Sequence, residues 1–170
     1  MDVFKAIKNR RSIREFKADS VPEEKLKRIL EAARLAPSAH NEQEWKFIVV
    51  RDLEKRKKLA KAALKQDFIV QAPLVIVAVA TNPTHIMANE VPAYAVDLAI
   101  AVEHMALQAV EEGFGTCWIG AFSQRGVKEI LEIPEEYKVV TLMPLGFPAD
   151  SPRKKIRKKL EEIVSYDRYQ

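Results

Sequence analysis

Leu26, Ile29, Leu30 and Ala33 recur at intervals of three and four, the spacing that gathers apolar side chains on one face of a helix. Ser20-Val21-Pro22-Glu23 predicts where that helix starts: Ser20 as the cap, Glu23 three residues on, and Pro22 near the first turn. Pro37 ends it. Residues 2 to 8 read as a short preceding helix. Trp45 to Val50, aromatic and β-branched, predicts a strand. Asp52 can cap a helix reaching about Leu64. The unbroken apolar run Pro73 to Ala80 predicts a strand buried on both faces. Residues 93 to 112 predict the longest helix, closed by Gly113 and Gly115. A strand near 115 to 119, a helix near 124 to 131 and a strand from Tyr137 to Leu145 follow.

This order of elements, without repeats or Gly/Ser linkers, predicts one α+β domain over residues 1–170, a three-layer αβα sandwich. The long helix from residue 93 has little polar face, and a helix apolar nearly all round must be buried on all sides. A domain this small has few helices to cover it. A homodimer interface is therefore expected, against the plainer reading of a core helix in a monomer.

Composition narrows the picture. A chain of 170 residues, 48% apolar, has room for one real core. One cysteine, Cys117, excludes an intramolecular disulfide framework and suits a cytoplasmic protein. The charged N-terminus does not read as a signal peptide. The apolar run from Ala93 carries Asp97, Glu103 and His104, so no membrane association is expected. Net charge is +4, but charges of both signs are mostly interspersed, and the basic run at 153 to 159 stands alone. With no basic-aromatic sheet pattern, no nucleic-acid partner is expected.

Four segments carry candidate chemistry. In Arg10-Arg11-Ser12-Ile13-Arg14, an extended backbone would point Arg10, Ser12 and Arg14 the same way. Guanidiniums flanking a hydroxyl suit a phosphate and a polar ring edge, although the bare spacing fits any basic loop. Pro37-Ser38-Ala39-His40-Asn41-Glu42-Gln43 follows a helix with amides and hydroxyls, either a binding loop or a capped turn. Gly113 to Phe122 runs a strand into Gly120, where a flat ligand can approach backbone N–H groups. Lys155-Ile156-Arg157 places two cations on one face of a tail.

In this order, the four segments resemble the nitroreductase family, and so do Ala72 to Val77 and Met143 to Pro148. The resemblance spans essentially the whole chain and is close to the family's short, compact members. It implies a mixed, mostly antiparallel sheet in an intertwined homodimer with non-covalent FMN at the interface. Arg10, Arg11 and Ser12 match positions holding the phosphate and ribityl chain, and Arg14 matches a cation at the pyrimidine edge. Lys155 and Arg157 match tail residues closing on the phosphate. Pro37, Ser38, Asn41 and Gln43 match a loop given by the partner subunit. Ile119 and Gly120 match backbone facing the ring, and Gln66 is a looser match.

The implied activity is hydride transfer from NAD(P)H through flavin N5 to nitroaromatics, quinones or related small acceptors, by alternating half-reactions. Two alternatives stay open: a metabolite-specific flavoenzyme of the same fold, and a flavin-binding protein without turnover. No side chain need act catalytically, because the flavin carries the chemistry. Glu44 and His40 depart from the usual residues on the loop. His85 and His104 lack ligand partners at metal spacing, so no metal is expected. Cys117 reads as a small buried hydrophobe.

Overall fold

The computed structural model describes residues 2–150 and 155–169. Six helices, α1 (Val3–Asn9), α2 (Glu23–Arg34), α3 (Leu53–Ala62), α4 (Phe68–Gln71), α5 (Ala93–Glu111) and α6 (Gln124–Leu131), surround four strands among these residues. The strands are β1 (Trp45–Val50), β2 (Leu74–Ala80), β3 (Gly115–Thr116) and β4 (Lys138–Gly146), in spatial order β1-β2-β4-β3. All three strand pairings are antiparallel.

β2 explains the layering. Every one of its residues is buried, as its unbroken apolar run predicts. Successive side chains alternate between faces. Leu74, Ile76, Ala78 and Ala80 pack against α2 and α5, while Val75, Val77 and Val79 pack against α3, α4 and α6. The result is the three-layer αβα arrangement.

Local chemistry sets the helix ends. The Asp52 carboxylate accepts the Lys55 amide at 2.7 Å, the expected cap of α3. At the end of α5 the Phe114 amide donates to Ala109 O and the Gly113 amide to Val110 O, with Gly113 at φ 84°. That closure needs a left-handed residue, which glycine supplies without strain. Ser20 does not cap α2. The cap is Pro22, with no side-chain bond, and its carbonyl takes the Lys25 and Leu26 amides. Glu23 and Glu24 then occupy the positive end of the helix dipole.

One strand expectation changes. The strand foreseen near 115 to 119 covers only Gly115 and Thr116, with Ile119 bridging Leu142 further on. Ile119 and Leu142 exchange both backbone bonds, so two residues on, Pro144 turns its nitrogen toward Cys117. Proline has no N–H to give, and the ladder lapses there. As expected of a domain with so few helices, α5 is covered on one side only. Leu98, Ala101, Val102, Met105 and Ala109 are in the core, but Ala95, Val96, Ala99 and Glu103 face outward, so one chain does not bury it on all sides. By length and hydropathy α5 would suffice to cross a membrane, yet its inner face is part of the domain core.

Gly115 is where α5, β3 and the N-terminal segment close on one another. A Cβ there would lie 2.9 Å from Ile13 Cβ, and Ile13 is 2% exposed, so the backbone would have to shift. Gly115→Ala should therefore lower unfolding free energy by about 1–3 kcal/mol in urea denaturation. Gly120→Ala, whose Cβ would meet nothing closer than 3.9 Å, should change it by less than about 0.5 kcal/mol. Equal effects would contradict this packing.

Candidate functional site

Beyond α1 the chain runs extended along the edge of the sheet. Ser12 forms a parallel bridge with Thr116, and the Ile13 amide donates to Thr116 O at 2.9 Å. Ile13 points into the core, so its neighbours Ser12 and Arg14 point out to solvent. Phe16 bridges Pro148, and the Ala149 amide donates to Glu15 O, so the segment is also stitched to the chain after β4.

Arg10, Arg11, Ser12, Arg14, Asp150, Lys155, Ile156 and Arg157 line one cavity of about 370 Å³. The structure thus gathers the N-terminal and tail candidates, which lie more than a hundred residues apart in sequence. Arg11 and Lys155 also line the adjoining cleft of about 580 Å³, over Ile13, Val110 and Phe114. Arg153 and Lys154 of the basic run lie outside the described residues.

The cations outnumber their partners. Arg10 pairs with Glu103 at 3.2 Å, and Arg11 lies 3.8 Å from Asp150. Arg14, Lys155 and Arg157 have no carboxylate within bridging distance among the described residues. Lys155 instead donates to the carbonyls of Ile7 and Lys8, near the end of α1. Burial pushes the Lys155 ammonium below its ordinary range, and Arg10, Arg157 and Arg11 push it the same way. Cations held in mutual repulsion favour an anionic ligand. Oδ1 of Asp150 is buried without a hydrogen-bond donor among the described residues.

The glycine turn continues from Thr116. Ile119 is buried, Gly120 is exposed, and Gln66 Nε2 donates to Ala121 O at 3.2 Å. Thr141 Oγ1 donates to Ile119 O at 3.0 Å, fixing the backbone just before the turn. Cys117 sits between this stretch and Ser12, close enough to sense both Ser12 and Arg14.

Pro37, Ser38, Asn41 and Gln43 are elsewhere. Their loop enters β1, at the opposite edge of the sheet from β3. Three strand spacings, roughly 14 Å, separate the two edges. Within the loop Ser38 Oγ accepts the Gln43 amide at 3.0 Å, and Gln43 Nε2 donates to Asn41 O at 3.1 Å. Asp97 of α5 accepts the Ala39 amide with both oxygens, at 3.1 and 3.2 Å. A single chain does not bring this loop to the cation cavity.

Sequence reasoning missed Glu103, Asp150 and Asp97 as partners of these segments. Each lies far along the chain from the group it contacts, and only the register of the fold reveals it. Sequence spacing also hides the neighbours of His85. Its Nδ1 lies 3.5 Å from Glu42 and 3.8 Å from Glu44, so it does not stand alone.

The model of the nitroreductase family matches residues 7–66 and 61–147 of the chain. The FMN reductase [NAD(P)H] of Bacillus subtilis is 31% identical, over 99% of this chain and 74% of its own length. The crystal structure of a nitroreductase family protein from Clostridium novyi superposes with a TM-score of 0.83 at 40% identity, covering 91% of this chain and 89% of that one. An FMN-dependent nitroreductase from Clostridium difficile does so at 0.85 and 32% identity, covering 98% and 99%.

Cys117 gives a pH test of this corner. Burial raises its thiol above the ordinary range, outweighing the opposing pull of Arg14 and Ser12. A raised thiol is neutral in the fold, so its contribution to stability is full below the unfolded pKa. It is lost as pH rises through the folded one. At pH 7 a thiol reagent should leave native protein unlabelled and modify one group per chain in denaturant. Rapid labelling of native protein at pH 7 would show the thiol to be accessible and ionised.

Proposed function

The chain belongs to the nitroreductase family, and from that premise we propose that it is an NAD(P)H-dependent FMN oxidoreductase. The observation that carries the reading is the convergence of Arg10, Arg11, Arg14, Lys155 and Arg157 with Ser12 on one cavity at the β3 edge. A dianionic phosphate with a hydroxylated chain suits that donor set, since guanidiniums offer paired N–H groups to phosphate oxygens and Ser12 adds a hydroxyl. The adjoining glycine turn leaves Gly120 open, with room for a flat ring system against the backbone.

Arg10, Arg11, Lys155 and Arg157 would hold the phosphate, with Ser12 on the ribityl chain. Arg14, exposed at the far end of the segment, would stand at the pyrimidine edge of the ring. There a permanent positive charge favours the extra negative charge of the reduced state. Held there, FMN would supply hydride chemistry, two electrons and a proton passing together from NAD(P)H to a small acceptor such as a nitroaromatic or quinone. The protein binds, orients and excludes water, and no acid or base side chain is required of it.

A homodimer completes this reading. Val3, Phe4 and Ile7 of α1 are exposed, as are Val96 of α5 and Ile156, Leu160 and Ile163 of the tail. Apolar faces this extensive favour a partner surface. A second copy could also bring its Pro37–Gln43 loop, with Ser38 and Asn41, to the cavity that its own chain leaves it far from.

Purified protein should be yellow, elute at twice the chain mass, and bleach anaerobically with NADH or NADPH. The colour should return on adding a nitroaromatic or quinone. Protein that takes up no added FMN would overturn the reading. A yellow protein that neither nicotinamide bleaches would be a flavin binder without this activity.

A further inference from the structure

At the other edge of the sheet, the β1–β2 pairing sets Trp45 against Ala80, so the chain entering β1 meets the chain leaving β2. The Thr81 amide donates to Glu44 O at 3.1 Å and extends that ladder by one step. Glu42, Glu44 and His85 are thereby drawn together. His85 Nδ1 lies 3.5 Å from Glu42 Oε2 and 3.8 Å from Glu44 Oε2, and one ligand atom from each residue falls within 4.8 Å of the other two. A zinc ion bound tetrahedrally at roughly 2.0–2.1 Å to nitrogen and oxygen keeps its ligand atoms about 3.3–3.5 Å apart. The histidine already stands within a few tenths of an ångström of that spacing.

The surroundings distinguish this cluster from a loose surface ion pair. Glu44 is bound through its other oxygen: Oε1 accepts from Asn82 Nδ2 at 2.9 Å. Asn82 is fixed in turn, because its Oδ1 accepts from Thr84 Oγ1 at 2.7 Å. That relay aims Glu44 Oε2 at the imidazole, in the way outer partners orient a ligating carboxylate. The His85 carbonyl takes the Ala93 amide at 3.0 Å, anchoring the histidine to the start of α5. The His40 ring lies nearly parallel to that of His85, with centroids 6.2 Å apart. Two carboxylates converging on a single nitrogen repel one another, and a cation between them removes that cost.

We infer that Glu42, Glu44 and His85 form a binding site for a divalent transition-metal ion of the zinc class, with water in the fourth position. One imidazole and two carboxylates suit such an ion, whereas magnesium and calcium are held through oxygen alone. Bound there, the ion ties the Pro37–Gln43 loop to the 81–92 connection. It thereby steadies the loop whose residues the flavin reading assigns to the second subunit.

The test is calorimetric titration of the full chain, stripped with chelator, with Zn²⁺ at neutral pH. The expected result is one Zn²⁺ per chain, no saturable heat with Mg²⁺ or Ca²⁺, and a thermal midpoint that rises with Zn²⁺. His85→Ala and Glu44→Gln should each weaken binding at least tenfold and abolish the thermal shift, while His104→Ala leaves both unchanged. The paired variant Glu42→Gln, Glu44→Gln guards against a folding defect in His85→Ala. Each variant should match the parent's thermal midpoint in chelator. No binding, or binding equally tight in His85→Ala and the paired variant, would overturn the site. Neither readout depends on flavin content or turnover, so failure here leaves the oxidoreductase reading standing.

Discussion

The amide of Ile13 donates to the carbonyl of Thr116, and that short piece of parallel pairing is what makes a basic segment one wall of the cation-lined cavity. Ile13 fills a core position against Gly115, which has no side chain to obstruct it. The pleat then forces Ser12 and Arg14 to the outer side. The location of the charges is thus decided by an apolar side chain and a glycine. Arginines would not otherwise gather, since like charges disperse in water and isolated surface pairs contribute little.

The platform for that pairing is equally simple in origin. β2, apolar at every position, is buried on both faces and fixes the sheet between two helical layers. β4 extends from it and carries β3 at its outer edge. Each edge of the sheet then gathers residues distant in sequence: the cation cavity at β3, and the Glu42, Glu44 and His85 cluster at β1. The two assemblies use different chemistry, positive charge on one side and a carboxylate–imidazole set on the other.

How much was legible beforehand follows from range. β1, β2, α5 and α6 were readable because periodicity, β-branching and glycine closure act within a few residues. So was the Asp52 cap, which needs only its own first turn. The break after Thr116 was not readable, because it depends on Pro144 turning its nitrogen toward Cys117 across the sheet. The incomplete cover of α5 was readable too, because a helix with so little polar face needs more neighbours than this short chain supplies. The order of motifs pointed to Arg10, Arg14, Lys155 and Arg157, and the fold does bring them together. Glu103 and Asp150, which temper that charge, left no local signal, and neither did the carboxylates beside His85.

The central claim is that the cations at the β3 edge are arranged for a phosphate-bearing flavin. The direct measurement is the dissociation constant of FMN beside that of riboflavin, which lacks only the phosphate, at low and high salt. The account predicts FMN binding at least 100-fold tighter at low salt, with the gap narrowing as salt screens the charges. Equal affinities for the two, unaffected by salt, would contradict it.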